Sequence, residues 1–163
     1  MELKTVKLDI PEGHNIILGQ THFIKTVEDL YEIMTSTVPN AKFGIAFCEA
    51  SGACLLRLEG NDEGLKKTSE TMAMDISAGH TFVVVMKDAF PINVLNAIKM
   101  CQEVCSIYCA TANPVEVIIA ETDQGRGIVG VIDGFPPKGV EKEDGVDGVA
   151  WRKNLLRKFK YKL

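Results

Sequence analysis

His80 is the residue in this sequence best equipped for chemistry. A neutral imidazole is a nucleophile toward phosphorus and also serves as a general base. It lies in the run Ala78-Gly79-His80-Thr81-Phe82, behind a glycine and ahead of an apolar string. The spacing predicts a helix ending near Ala78, Gly79 as the left-handed residue past it, and His80 opening a strand. Side chains at strand ends are where α/β proteins place ligands. The alternative is a strand-start histidine bonded to a neighbouring carbonyl. His14 and His22 fall in more polar stretches and are expected at the surface or in structural roles.

Arg126 is the second candidate. Gly125-Arg126-Gly127-Ile128-Val129-Gly130 matches G-x-G-x-x-G, but a strand pattern follows it, where a dinucleotide site needs a helix. What survives is a glycine-flanked arginine on a turn, able to clamp a phosphate or carboxylate. Asn93 and Asn96 are expected in the first turn of a helix, near exposed N–H groups that suit an anion. Ser51-Gly52 reads as a turn first and a hydrogen-bonding loop second. Asp62, Glu116 and Glu121 are acids open to magnesium, and equally open to capping or outward strand positions. There is no G-x-x-x-x-G-K-[ST] string, no kinase H-R-D or D-F-G, and no G-x-S-x-G elbow. Any phosphoryl chemistry must use an uncommon site.

The elements that hold these residues follow from pattern. Residues 3–10 alternate like an edge strand, and 15–23 form a weaker extended segment. Thr26-Val27-Glu28-Asp29 resembles a capping box opening a helix that stops before Pro39. Strands at 42–49 and 54–60 flank a turn, and a helix capped by Asn61 or Asp62 follows. After the strand headed by His80, Phe90-Pro91 breaks the chain, and 92–106 reads as a helix with Val94, Ile98, Cys101 and Cys105 on one face. Two strands around Ala112-Asn113-Pro114 come next, then a hairpin turn at 122–127 into a last strand. A loop rich in Gly, Pro and acid covers 135–149. The final helix, Trp151 to Phe159, is expected to dock through Trp151, Leu155 and Phe159. Function in this reading requires His80, Asn93, Asn96, Thr111 and Asn113 to gather at one mouth of the unit 78–122.

With 163 residues, 46% hydrophobic and 25% charged, one single compact domain of the α/β (α+β-like) class is expected, with a mixed sheet and about four helices. The five cysteines are odd in number, without a C-x-x-C pair or a nearby histidine, and are expected as core thiols rather than disulfides or metal ligands. No metal ligand is assigned. The first ten residues lack the apolar block of a signal peptide, no run is long enough to cross a bilayer, and the cytoplasm is the expected setting. The formal net charge of −4 disfavours nucleic acid as a partner. Residues 151–163 nevertheless carry six basic and no acidic residues. A nucleic-acid-associated scaffold using that tail would lose salt-sensitive retention without Lys158 and Lys160.

Taken together, several strings resemble one family, the adenosine-specific kinases of archaea and some bacteria. They are Phe47-Cys48-Glu49-Ala50-Ser51-Gly52, Gly60-Asn61-Asp62, Ala78-Gly79-His80-x-Phe82, Ala89-Phe90-Pro91-Ile92-Asn93-Val94-Leu95-Asn96-Ala97-Ile98, Cys109-Ala110-Thr111-Ala112-Asn113-Pro114, Gly125-Arg126-Gly127 and Leu155-Leu156-Arg157-Lys158-Phe159. The resemblance spans essentially residues 1–163. It implies a homotrimer that binds adenosine or AMP and a histidine that carries a phosphoryl group stably. His80 is the one histidine inside a family string. It takes that role here, with Arg126 neutralising phosphate oxygens. Ser51, Gly52, Asn61, Asp62, Asn93, Asn96, Thr111 and Asn113 are then the ligand-binding candidates. No cofactor is fixed, and Mg2+ accompanying a nucleotide donor is the candidate. The alternative function is a nucleoside sensor whose phosphohistidine is a regulatory mark without turnover.

Overall fold

The strand that follows His80 runs through the centre of the molecule. In the computed structural model, which describes residues 1–143 and 145–163, β5 (Thr81–Lys87) is buried at six of its seven residues. Its neighbours are β3 (Lys42–Cys48) and β2 (Asn15–Thr21), with β4 (Leu56–Gly60) and β6 (Val104–Thr111) at the edges. A run of valines rather than an alternating pattern is what a strand covered on both faces requires. A second sheet of three strands has the order β1 (Glu2–Leu8), β7 (Val115–Glu121), β8 (Arg126–Asp133).

The single domain and the four helices agree with the sequence reading. The sheet does not: the strands form two sheets, and every described pair is antiparallel rather than mixed. Of these pairs only β3–β4 and β7–β8 are hairpins; the others join strands distant in sequence, and hydrophobic pattern does not encode their polarity.

Alternation along the central strands sorts the core into two. Ile17, Phe43, Ile45, Phe47, Phe82, Val84 and Met86 pack against α1 (Thr26–Thr37) and α3 (Pro91–Lys99). Ile16, Leu18, Ala46, Cys48, Val83 and Val85 face α2 (Glu63–Ile76) and the three-stranded sheet. The Asp62 carboxylate accepts from the Leu65 N–H at 3.0 Å and starts α2. The helix lies directly on β3, where a Cβ on Gly44 would sit 2.2 Å from the Leu65 backbone.

Several expectations are corrected. The third helix ends at Lys99, and residues 104–111 form β6, because this β-branched and aromatic stretch pairs with β2. Cys101 therefore lies in a turn and Cys105 on a strand, and the helical face through both does not exist. The Thr26 capping box is absent: its hydroxyl instead donates to the Phe23 carbonyl at 2.7 Å. α4 (Val149–Lys158) buries none of its residues, and Trp151 is about half exposed. Apolar spacing puts Trp151, Leu155 and Phe159 on one side; Leu155 is half-buried, and the Phe159 ring stands 6.5 Å from that of Phe90. No described helix is long and apolar enough to cross a membrane.

The cysteines are not uniformly in the core. Cys48 and Cys109 are buried, and burial pushes each thiol up to about 11. Cys54 and Cys105 are exposed. Because the thiolate is the reactive form, iodoacetamide at pH 8 should modify Cys54 and Cys105 within minutes. Cys48 and Cys109 should react only once the chain is unfolded, as peptide mass spectrometry would read.

Candidate functional site

Two consecutive features bend the chain into His80. Ser77 closes α2 in the left-handed conformation, with φ 51°, and His80 repeats it at φ 61°. Gly79, expected to be the left-handed residue, is glycine for another reason: a Cβ there would stand 2.9 Å from the Cβ of Ala50. The turn between β3 and β4 closes on it.

His80 sits immediately before β5. Its N–H donates to Cys48 O at 2.8 Å, and its carbonyl accepts from the Thr21 N–H at 2.9 Å. One residue thus ties the ends of β3 and β2 across the head of β5. A left-handed conformation in a non-glycine residue is uncommon, and such strain persists where its surroundings over-determine it. The imidazole stacks on Phe47, with ring centroids 6.0 Å apart and planes 18° from parallel. It therefore packs toward the α1–α3 side of the sheet.

On the other side of the same end opens a cleft of about 940 Å³. The end of α2, Ala78-Gly79, the β3–β4 turn and the β7–β8 hairpin form its walls. Its volume is at the upper end of what small-molecule sites use. Arg126 lines it, with its guanidinium set by two contacts. Nε donates to the Glu121 carboxylate, and Nη1 donates to Asp75 O at 3.2 Å near the C-terminus of α2. A cation there also offsets the negative end of the helix dipole.

Glu121 is itself paired with Lys4 from β1. Lys4 first and Arg126 second hold its carboxyl below the usual range. A depressed carboxyl contributes stability above its unfolded-state pKa, and that stability is lost as pH falls through the folded-state pKa. The stability gap between wild type and Glu121→Gln should therefore be present at pH 7 and close below about pH 4, as urea melts at both pH values would show.

The predicted site residues do not assemble at one mouth. Thr81 pairs with Gln20 while Met86 pairs with Asn15, and Thr111 pairs with Ile16. Thr111 and Asn113 therefore stand at the far end of the sheet from His80, about 20 Å away along β5. Ser51 and Gly52 lie at the His80 end, in the β3–β4 turn, where Ser51 O accepts from the Cys54 N–H at 3.2 Å. Neither lines the cleft, although Ala50 and Cys54 do.

Three of the remaining candidates, Asn61, Asp62 and Asn93, make contacts that hold the scaffold. Asn61 accepts from the Phe43 N–H at 2.9 Å and donates to Ala41 O at 2.8 Å, which fastens the β4–α2 junction to the start of β3. Asp62 caps α2. Asn93 accepts from the Phe90 N–H at 2.9 Å and so caps its own helix, while Asn96 is exposed on α3. The carboxylates open to magnesium do not converge: Asp62 is at the cap, and Glu116 and Glu121 stand at opposite ends of β7.

At the far end lies a smaller slot of about 290 Å³ among Asn15, Phe90, Ile92, Thr111, Phe159 and Tyr161. Thr111 Oγ1 and Asn113 Nδ2 both donate to Asp133 Oδ1, at 2.9 and 3.1 Å. Sequence reasoning missed Asp133 and Asn15 here, and Ser77 and Glu49 in the cleft. The one signal for Asp133 was the Asp133-Gly134 dipeptide, a turn former.

The family described as "Adenosine specific kinase" matches residues 6–162. No curated protein matches the chain. Among solved structures, the crystal structure of the PH1918 protein from Pyrococcus horikoshii OT3 is similar at a TM-score of 0.92 and 41% identity. The match covers 99% of this chain and 98% of that one.

Proposed function

Since the chain belongs to the adenosine-specific kinase family, we propose that it transfers a phosphoryl group to adenosine through His80. The observation that carries this reading is His80 itself, pinned in a left-handed conformation directly after Gly79, which lines the large cleft, with its imidazole half-exposed and stacked on Phe47 across the strand end. A ring nitrogen attacks the donor's terminal phosphorus, and the N–P bond forms as the donor's P–O bond breaks. A hydroxyl of the bound nucleoside then attacks the same phosphorus and loses its proton to solvent. The N–P bond breaks, giving AMP and free imidazole.

In this reading adenosine occupies the cleft between α2 and the β7–β8 hairpin, with its reactive hydroxyl at the head of β5, and the His80 ring turns from Phe47 toward Gly79 to reach it. Arg126 stabilises the phosphoryl oxygens, because such transfer is mostly positioning and charge stabilisation. Thr111 and Asn113 stand about 20 Å from His80 along β5, too far to hold the same ligand within one chain. The test is incubation with adenosine and ATP: AMP should accumulate over many turnovers. Adenosine binding without any AMP would leave the sensor reading instead.

The reading includes a homotrimer and a cytoplasmic setting. Supporting assembly, β8 is an edge strand with Val129 and Ile132 exposed, the kind of edge a monomer avoids. Sedimentation velocity should give three times the chain mass of 17.9 kDa.

A further inference from the structure

A second cluster of chemically competent side chains lies where α1 begins and β6 is entered, outside the cleft. Asp29, in the first turn of α1, and Cys101 and Glu103, in the turn after α3, bring one ligand atom each to within 4.8 Å of one another. Glu103 is 3% exposed, and its Oε1 is buried without a hydrogen-bond partner among the described residues. The nearest cation, Lys25 Nζ, stands 3.7 Å from that oxygen, beyond hydrogen-bond reach, and makes its close contact with Asp29 instead. A buried carboxylate oxygen left without a partner is costly. It lies in a cluster whose other members are a thiol and a second carboxylate.

We propose that Asp29, Cys101 and Glu103 form a binding site for a divalent cation of the zinc class, with Lys25 standing in for the ion in the metal-free protein. One thiol with two carboxylates suits a borderline-soft ion better than magnesium, which prefers an all-oxygen shell. Zinc bonds of about 2.0–2.3 Å place ligand atoms roughly 3.5 Å apart. Closing the site therefore asks for a side-chain adjustment on the order of 1 Å. Lys25 is more than half exposed and free to swing into solvent.

Binding replaces the Cys101 thiol proton with the ion and releases it to solvent, and affinity rises with pH. The site is joined to His80 through one residue. Thr21 donates its hydroxyl to Glu103 O at 2.8 Å and its N–H to His80 O at 2.9 Å.

The test is a Co2+ titration of the metal-stripped full chain, followed by the near-ultraviolet thiolate-to-cobalt band and by Zn2+ displacement. One equivalent should bind, unaffected by a hundredfold excess of Mg2+. Cys101→Ser should remove the band, and Glu103→Gln should weaken binding at least tenfold. Lys25→Met should tighten binding by removing the competing ammonium. If Cys101→Ser fails to fold, Zn2+ should still protect wild-type Cys101 from alkylation. No saturable band, a band that survives Cys101→Ser, or Lys25→Met that destabilises the fold and binds no metal would overturn the proposal. So would absence of that protection. In each case the cluster would be an ion pair closed by lysine alone.

Discussion

His80→Asn protein incubated with ATP takes up no phosphate, keeps its fold and still binds adenosine. Asparagine is the discriminating substitution because it tolerates the left-handed region better than most residues. The two backbone hydrogen bonds from His80, to Cys48 and from Thr21, do not involve the side chain and persist in the variant. What disappears is the ring nitrogen, which no asparagine atom replaces as a nucleophile. Labelling should therefore fall to background rather than by a partial factor, while the urea midpoint changes little. His80→Ala gives the same loss of labelling with an added cost of about 1 kcal/mol for holding alanine at a positive φ. Undiminished labelling of His80→Asn would place the phosphoryl group on another residue.

The largest stability effect belongs to Gly44→Ala. A Cβ there would stand 2.2 Å from Leu65 C and 2.3 Å from both Leu65 O and Lys66 N. These are backbone atoms in the first turn of α2, so no rotamer change relieves the clash, and the helix must lift from β3. Overpacking of this kind costs about 3 kcal/mol, or roughly 10 °C in melting temperature for a chain of this size. The variant also reports on the site, because α2 carries Ser77 and leads into Gly79 and His80. Gly127→Ala is the control. It has open space around its Cβ position and should melt within about 2 °C of wild type.

Local signals in the chain were faithful where one residue decides the outcome. Asp62 caps α2, Pro39 lies beyond the end of α1, and the run of valines after His80 is the buried central strand. The G-x-G-x-x-G match dissolves into a hairpin because a strand pattern follows it, and β8 begins at Arg126. Long-range placement was not legible. The candidate residues at both ends of β5 look like neighbours in a loop-based reading, and only strand length and register separate them. Asn61 and Asn93 carry side chains suited to a ligand, yet the backbone reaches them first. The apolar segments around the cysteines and the lack of a C-x-x-C pair point to core thiols, and helical spacing puts Cys101 and Cys105 on one face. A turn after Lys99 instead delivers Cys101 to Asp29, a residue 72 positions earlier in the chain. No spacing rule covers such a pair.

The central claim is that the phosphoryl group passes through His80 to adenosine, and a single-turnover chase tests it most directly. Protein carrying an acid-labile phosphate mapped to His80 would be freed of donor, mixed with adenosine and followed by intact-protein mass spectrometry alongside AMP. The account predicts that the adduct disappears as AMP appears, one for one. An adduct that persists while adenosine is bound and unchanged would contradict it and make the phosphohistidine a mark rather than an intermediate.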